Sequence, residues 1–144
     1  MPLKRLVSSC VCFFLVMLLV ACGSDNSLNG EGMIIELKPS EVQDFVTEKG
    51  GFIYVKSALE SDNEDDKMIM NEIKRIAEKK EINFYVFDQQ KHRKYIEIDL
   101  DSQAFGFYQD GTKKSDIELS RIEKKDKVAQ KVSTLIQKVK NNDN

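Results

Sequence analysis

Five carboxylates crowd into seven residues: Glu60, Asp62, Glu64, Asp65 and Asp66, in the run ESDNEDD. Oxygen ligands at this density are the raw material of a divalent-cation site, and Asp62, Glu64 and Asp66 fall at alternate positions. A calcium-binding EF-hand loop opening at Asp62 would require glycine at 67 and glutamate at 73. The chain has Lys67 and Ile73 instead, which rejects that motif. The same run precedes an amphipathic stretch, and acids at a helix N-terminus are favoured by ~0.3–1 kcal/mol each. Its other use is as an acidic loop for a protein partner, with Asp62, Asn63, Glu64, Asp65 and Asp66 as the contact residues. A thiol-independent enzyme or a cation-binding protein built on residues 60–66 and His92 is the alternative.

His92 is the single histidine and lies in the basic run KHRK, residues 91–94. With no marked acid partner in sequence it is a poor general base, and the run reads as a solvated loop. No serine has a G-x-S-x-G context and no glycine-rich phosphate loop occurs. No catalytic residue, cofactor or metal ligand is assigned. The whole chain carries 22 basic and 24 acidic residues. That balance lacks the basic excess of nucleic-acid-binding domains.

The three cysteines all stand near the start, at Cys10, Cys12 and Cys22. Lys4 and Arg5 precede an apolar run from Leu6 to Ala21 whose unbroken part, Val11–Ala21, has 11 residues. A membrane-spanning helix needs roughly 17–25, so the segment reads as a secretory signal peptide, residues 1–21. Its end, LVAC at 19–22, followed by Gly23 and Ser24, resembles the lipobox of bacterial lipoproteins. The resemblance implies a diacylglyceryl thioether on Cys22, cleavage before it and acylation of the new N-terminus. Two acyl chains suffice for stable anchoring. The expected location is the extracytoplasmic face of a cell membrane. The Lys-, Glu-, Asn- and Ile-rich, Trp-free composition points to a Gram-positive source. On this reading the mature chain has a net charge of about −4 and no free thiol, which excludes disulfides, thiol exchange and cysteine metal sites. A redox lipoprotein would require Cys22 to escape processing.

Residues 22–32 read as a lipidated N-terminus and flexible tether, 33–140 as one domain and 141–144 as a polar tail. Within the domain, MIIEL (33–37) is a short strand. Ser40 and Gln43 suggest a capping box, Val42, Phe45 and Val46 an apolar helical face, and Gly50 a stop. FIYVKS (52–57) and INFYVFD (82–88) have the continuous apolar character of buried strands. Ile69, Ile73, Ile76 and Ala77 recur with helical period over about 66–80. AFGFYQDGTKKSDIEL (104–119) reads as a hairpin turning at Asp110-Gly111. Val128, Val132, Leu135, Ile136 and Val139 stripe a helix over about 124–140. Most strand aromatics are expected in the core, with Phe84 and Phe105 as candidates to rim a groove. The order predicts an α/β domain with a mixed sheet flanked by helices.

This order, with DKMIMNEIKRIAEKKEINFYVFD and AFGFYQDGT, resembles the thioredoxin fold over about residues 33–140. Thioredoxins carry a C-x-x-C before the helix and a cis-proline before the hairpin. The matching positions here hold Asn63 and Asp66 for the two cysteines and Gln103 for the proline. The preceding loop SALES (57–61) is longer than in that family. The resemblance thus implies a thioredoxin-like scaffold without its redox centre. Such a domain would serve as a binding or accessory module for a membrane or cell-surface protein, with Gln103 beside the acidic residues at its contact face. Lipoproteins of this size include bacteriocin immunity or accessory proteins and surface-exclusion proteins.

Overall fold

The computed structural model describes residues 27–94 and 98–143. Cys22 and the signal-peptide segment lie outside the described residues. Five strands make one mixed sheet: β1 (Ile34–Glu36), β2 (Gly51–Lys56), β3 (Phe84–Asp88), β4 (Ala104–Gln109) and β5 (Thr112–Glu118). Their spatial order is β1-β3-β2-β4-β5. The first three run parallel, with Ile34 and Phe52 on either side of Phe84. β4 is antiparallel to β2, and β5 antiparallel to β4.

Side chains alternate across the sheet, so each buried strand feeds two cores. Phe52, Tyr54, Phe84, Val86, Phe105 and Phe107 face one side. There they meet α2 (Asn63–Lys80) and α4 (Lys125–Asn142), which pack on each other. All nine apolar residues assigned to the two helical stripes are buried. Ile53, Val55, Tyr85, Phe87 and Tyr108 face the other side, under α1 (Val42–Asp44, continuing as a π-helical turn Phe45–Lys49) and Leu100. Phe84 and Phe105 rim no groove: both are fully buried, with ring centroids 5.1 Å apart in an edge-to-face pair.

Several boundaries differ from the sequence reading. The Ser40–Gln43 capping box does not form. Glu41 instead reaches back to accept the Lys38 N–H at 2.8 Å, doing the job two positions earlier. Gly50 does end the helix, at φ +69 with its N–H on the Phe45 carbonyl, and a Cβ there would fall 2.6 Å from the Tyr108 carbonyl oxygen. α2 begins at Asn63, so NEDD is its first turn rather than a loop, and a 3₁₀ turn, Glu60–Asp62, leads into it. α4 continues through Asn142, into the segment read as tail.

The largest difference is at the tether. Leu28 packs against the core, and Gly30 N–H donates to the Glu81 carbonyl at 2.7 Å. Asn83 Oδ1 accepts from both Glu31 and Met33 N–H, at 3.0 and 3.1 Å. Gly32, at φ +75, lies so close to the end of α2 that a Cβ would stand 2.8 Å from the Ala77 carbonyl oxygen. Residues 28–32 are therefore a docked arm, not a tether.

Candidate functional site

Parallel strands put their C-terminal ends at one pole, where crevices of α/β sheets take ligands. Here β2 and β3 deliver Lys56 and Asp88, joined by a 2.6 Å ion pair. Burial pushes the Asp88 carboxyl up, but Lys56 and the N–H groups of Lys91 and Gln90 outweigh it and hold the carboxyl below its ordinary range. Asp88 also caps α3 (Gln89–His92), accepting the Lys91 N–H at 2.9 Å.

At the start of α2 the acidic run divides. Asp66 turns inward and is 2% exposed. Its Oδ1 accepts from the Tyr54 hydroxyl at 2.6 Å and from Gln103 Nε2 at 3.4 Å, and its Oδ2 from the Ser57 N–H at 3.0 Å. Burial raises the Asp66 pKa, and these three donors offset that only in part. Burial next to Asp66 also drives the Tyr54 hydroxyl well above its ordinary value. Asp62 accepts from Ser57 Oγ at 2.5 Å, and Ser57 Oγ in turn accepts the Leu59 N–H. Glu60, Asn63, Glu64 and Asp65 point to solvent.

The positions matched in sequence to the second cysteine and the proline do meet, as Asp66 and Gln103. Gln103 sits in the left-handed region at φ 57. It is held there by its N–H on the Val55 carbonyl and its own carbonyl on the Leu119 N–H. Such a residue costs roughly 1–2 kcal/mol. Both side chains are buried, which corrects their assignment as contact residues: neither presents a surface to a partner. Asp62, Glu64 and Asp66 do not converge, because successive turns aim them at Ser57, solvent and Tyr54. Among the described residues no group of three His, Cys, Asp or Glu is placed to hold a metal ion.

His92 has an acid partner after all, Glu36 Oε1 at 3.1 Å, on β1. Lys91 Nζ pairs with the same carboxylate at 2.7 Å and, as the main cause, keeps its pKa below the usual value. The ring of His92 stacks on Phe87. The first half of KHRK is thus a clasp between α3 and β1, not a solvated loop.

Beside the Asp66 network opens a cleft of about 310 Å³ lined by Ala58, Glu60, Gln89, Gln90, Arg93 and Lys94. Gln89 is buried, with its Oε1 accepting from Ser102 Oγ at 2.6 Å. Arg93 closes α3 in the left-handed conformation, φ 49. The sequence reading missed Gln89, Gln90 and Arg93 as a set. The available signal was a buried strand ending in Asp followed by two amides and the basic run KHRK, which marks a capped turn at the strand's carboxyl end.

Comparison with protein-family models, with curated proteins and with solved structures yields no match for this chain.

Proposed function

We propose that the chain is an extracytoplasmic lipoprotein, held on the membrane through Cys22, whose thioredoxin-like domain has no redox centre and acts as a protein-binding or accessory module. The carrying observation is the pairing of Asp66 with Gln103 at the positions where a thioredoxin places its second cysteine and cis-proline. A buried, hydrogen-bonded carboxylate stands there in place of a thiol. The strand order and the open cleft beside that pair support the same reading: a scaffold whose pole is shaped for binding rather than thiol exchange. The partner is a membrane or cell-surface protein, met through the solvent-facing acids Glu64 and Asp65.

The test is crosslinking of the tagged full-length protein in its own cells. Controls are Cys22→Ser and the pair Glu64→Gln with Asp65→Asn. A discrete membrane protein captured by the parent and lost in both controls supports the reading. Capture that ignores both controls, or no capture from a protein found in the membrane fraction, sinks it.

A further inference from the structure

The cleft carries unlike charges that leave one another alone. Glu60 stands on the wall made by the loop after β2, and Arg93 and Lys94 on the wall made by the turn after α3. None of the three joins an ion pair with another described residue, although five Lys or Arg pairs with Asp or Glu form elsewhere among the described residues. The same lining includes the amides of Gln89 and Gln90. Gln89 spends its Oε1 on Ser102, and its Nε2 finds no acceptor among the described residues.

We propose that this cleft binds a small dipolar ion of the amino-acid or dipeptide class. Arg93 and Lys94 take the carboxylate, Glu60 takes the α-ammonium group, and Gln89 and Gln90 satisfy the peptide link between them. Four observations lead there. A guanidinium offers a planar fork that matches a carboxylate's two oxygens. A carboxylate in the same lining disfavours a simple anion, and two cations disfavour a metal ion. The volume lies at the low end of the ~300–1,000 Å³ of ligand pockets, which suits one or two residues and not a nucleotide. Arg93 closes α3 in the left-handed conformation with its N–H on the Gln89 and Gln90 carbonyls, which ties the cation to the two amides in one turn. Exposed Leu59, set between two lining residues, offers an apolar side chain at the rim. The inference rests on the reading of this pole as a binding face but needs no protein partner.

The experiment is isothermal titration calorimetry on the purified full-length protein in detergent. The probes are Ala-Leu, free leucine, N-acetyl-Ala-Leu, Ala-Leu-amide and phosphoethanolamine. Saturable binding is expected for Ala-Leu or leucine, with both blocked peptides at least tenfold weaker. Arg93→Gly should weaken binding tenfold or more and abolish discrimination against the amide, while leaving the thermal midpoint unchanged or higher. Glu60→Gln should abolish discrimination against the acetylated peptide. No saturable binding by either zwitterion, equal binding of the blocked peptides, or an unaltered Arg93→Gly variant overturns the proposal. Phosphoethanolamine binding as tightly as the peptide overturns the assignment to amino acids. Crosslinking with Arg93→Gly and Glu60→Gln separates the two readings, since the acids tested for partner capture are Glu64 and Asp65.

Discussion

Asp66 is the residue on which the pole turns, because it is a carboxylate removed from water and repaid by three donors. Hydrogen bonds to a charged group contribute ~1.5–3 kcal/mol. Tyr54→Phe should therefore lower stability by about that much, read from chemical denaturation. The raised pKa fixes a sign as well. Between the ordinary carboxylate range and its raised value, folded Asp66 binds more protons than the unfolded chain does. Its contribution is full at acid pH and is lost as pH rises through the raised value. Asp66→Asn removes that slope, so its stability relative to the parent should improve steadily from acid toward neutral pH. A difference that stays flat, or runs the other way, refutes the assignment. Tyr108 is the opposite case. Its hydroxyl is buried with no hydrogen-bond partner among the described residues, and burial, with Asp99 and Asp116 nearby, pushes its pKa up to about 12. A buried polar group left unpaired costs ~1–3 kcal/mol, so Tyr108→Phe should raise the denaturation midpoint.

Among the elements, what the sequence revealed and what it hid follow physical lines. Strands buried on both faces announce themselves as apolar runs, and helical stripes by their period. Both kinds were placed within a few residues, and the Asp110-Gly111 turn was placed outright, at φ 52 and 72. Tyr54 was seen only as part of an apolar run, because nothing local says that a hydroxyl will find a carboxylate 12 residues on. The docked arm was hidden for a similar reason. Gly and Asn look like tether material, yet here the missing side chains of Gly30 and Gly32 let the backbone come close enough to bond to Glu81 and Asn83. Asn83→Ala deletes the acceptor of two N–H groups at once. Amide exchange at Glu31 and Met33 should speed up markedly, with at most about 1–3 kcal/mol lost in global stability. Unchanged exchange at both positions would show that the arm is held some other way. The cleft was hidden because its amides and cations have no motif; only the turn after β3 brings them opposite Glu60.

At the scale of the whole molecule, the arm and the cleft occupy opposite poles. The arm meets the starts of β1 and β3, and the cleft lies beyond the ends of β2 and β3. On the lipoprotein reading proposed above, a lipid on Cys22 would connect to docked Leu28 through residues 23–27, a length of chain that can span at most ~18 Å. That reading would bring the arm's pole nearest the bilayer. A fluorophore on Lys80→Cys should be quenched by a headgroup-borne quencher more strongly than one on Asn63→Cys. Equal quenching would mean that the domain lies on its side.

α2 joins these poles, opening on the acidic run and closing beside the arm. Its 18 residues rise about 1.5 Å each, about 27 Å in all. That is close to the ~30 Å hydrocarbon thickness of a bilayer. The helix is thus a ruler as well as a wall: on the lipoprotein reading proposed above, and with its axis upright, it would hold the cleft farther from the lipid surface than the ~8 Å physiological screening length of the headgroup charges. A small zwitterion arriving from the medium would meet the charges of the protein before it felt those of the membrane.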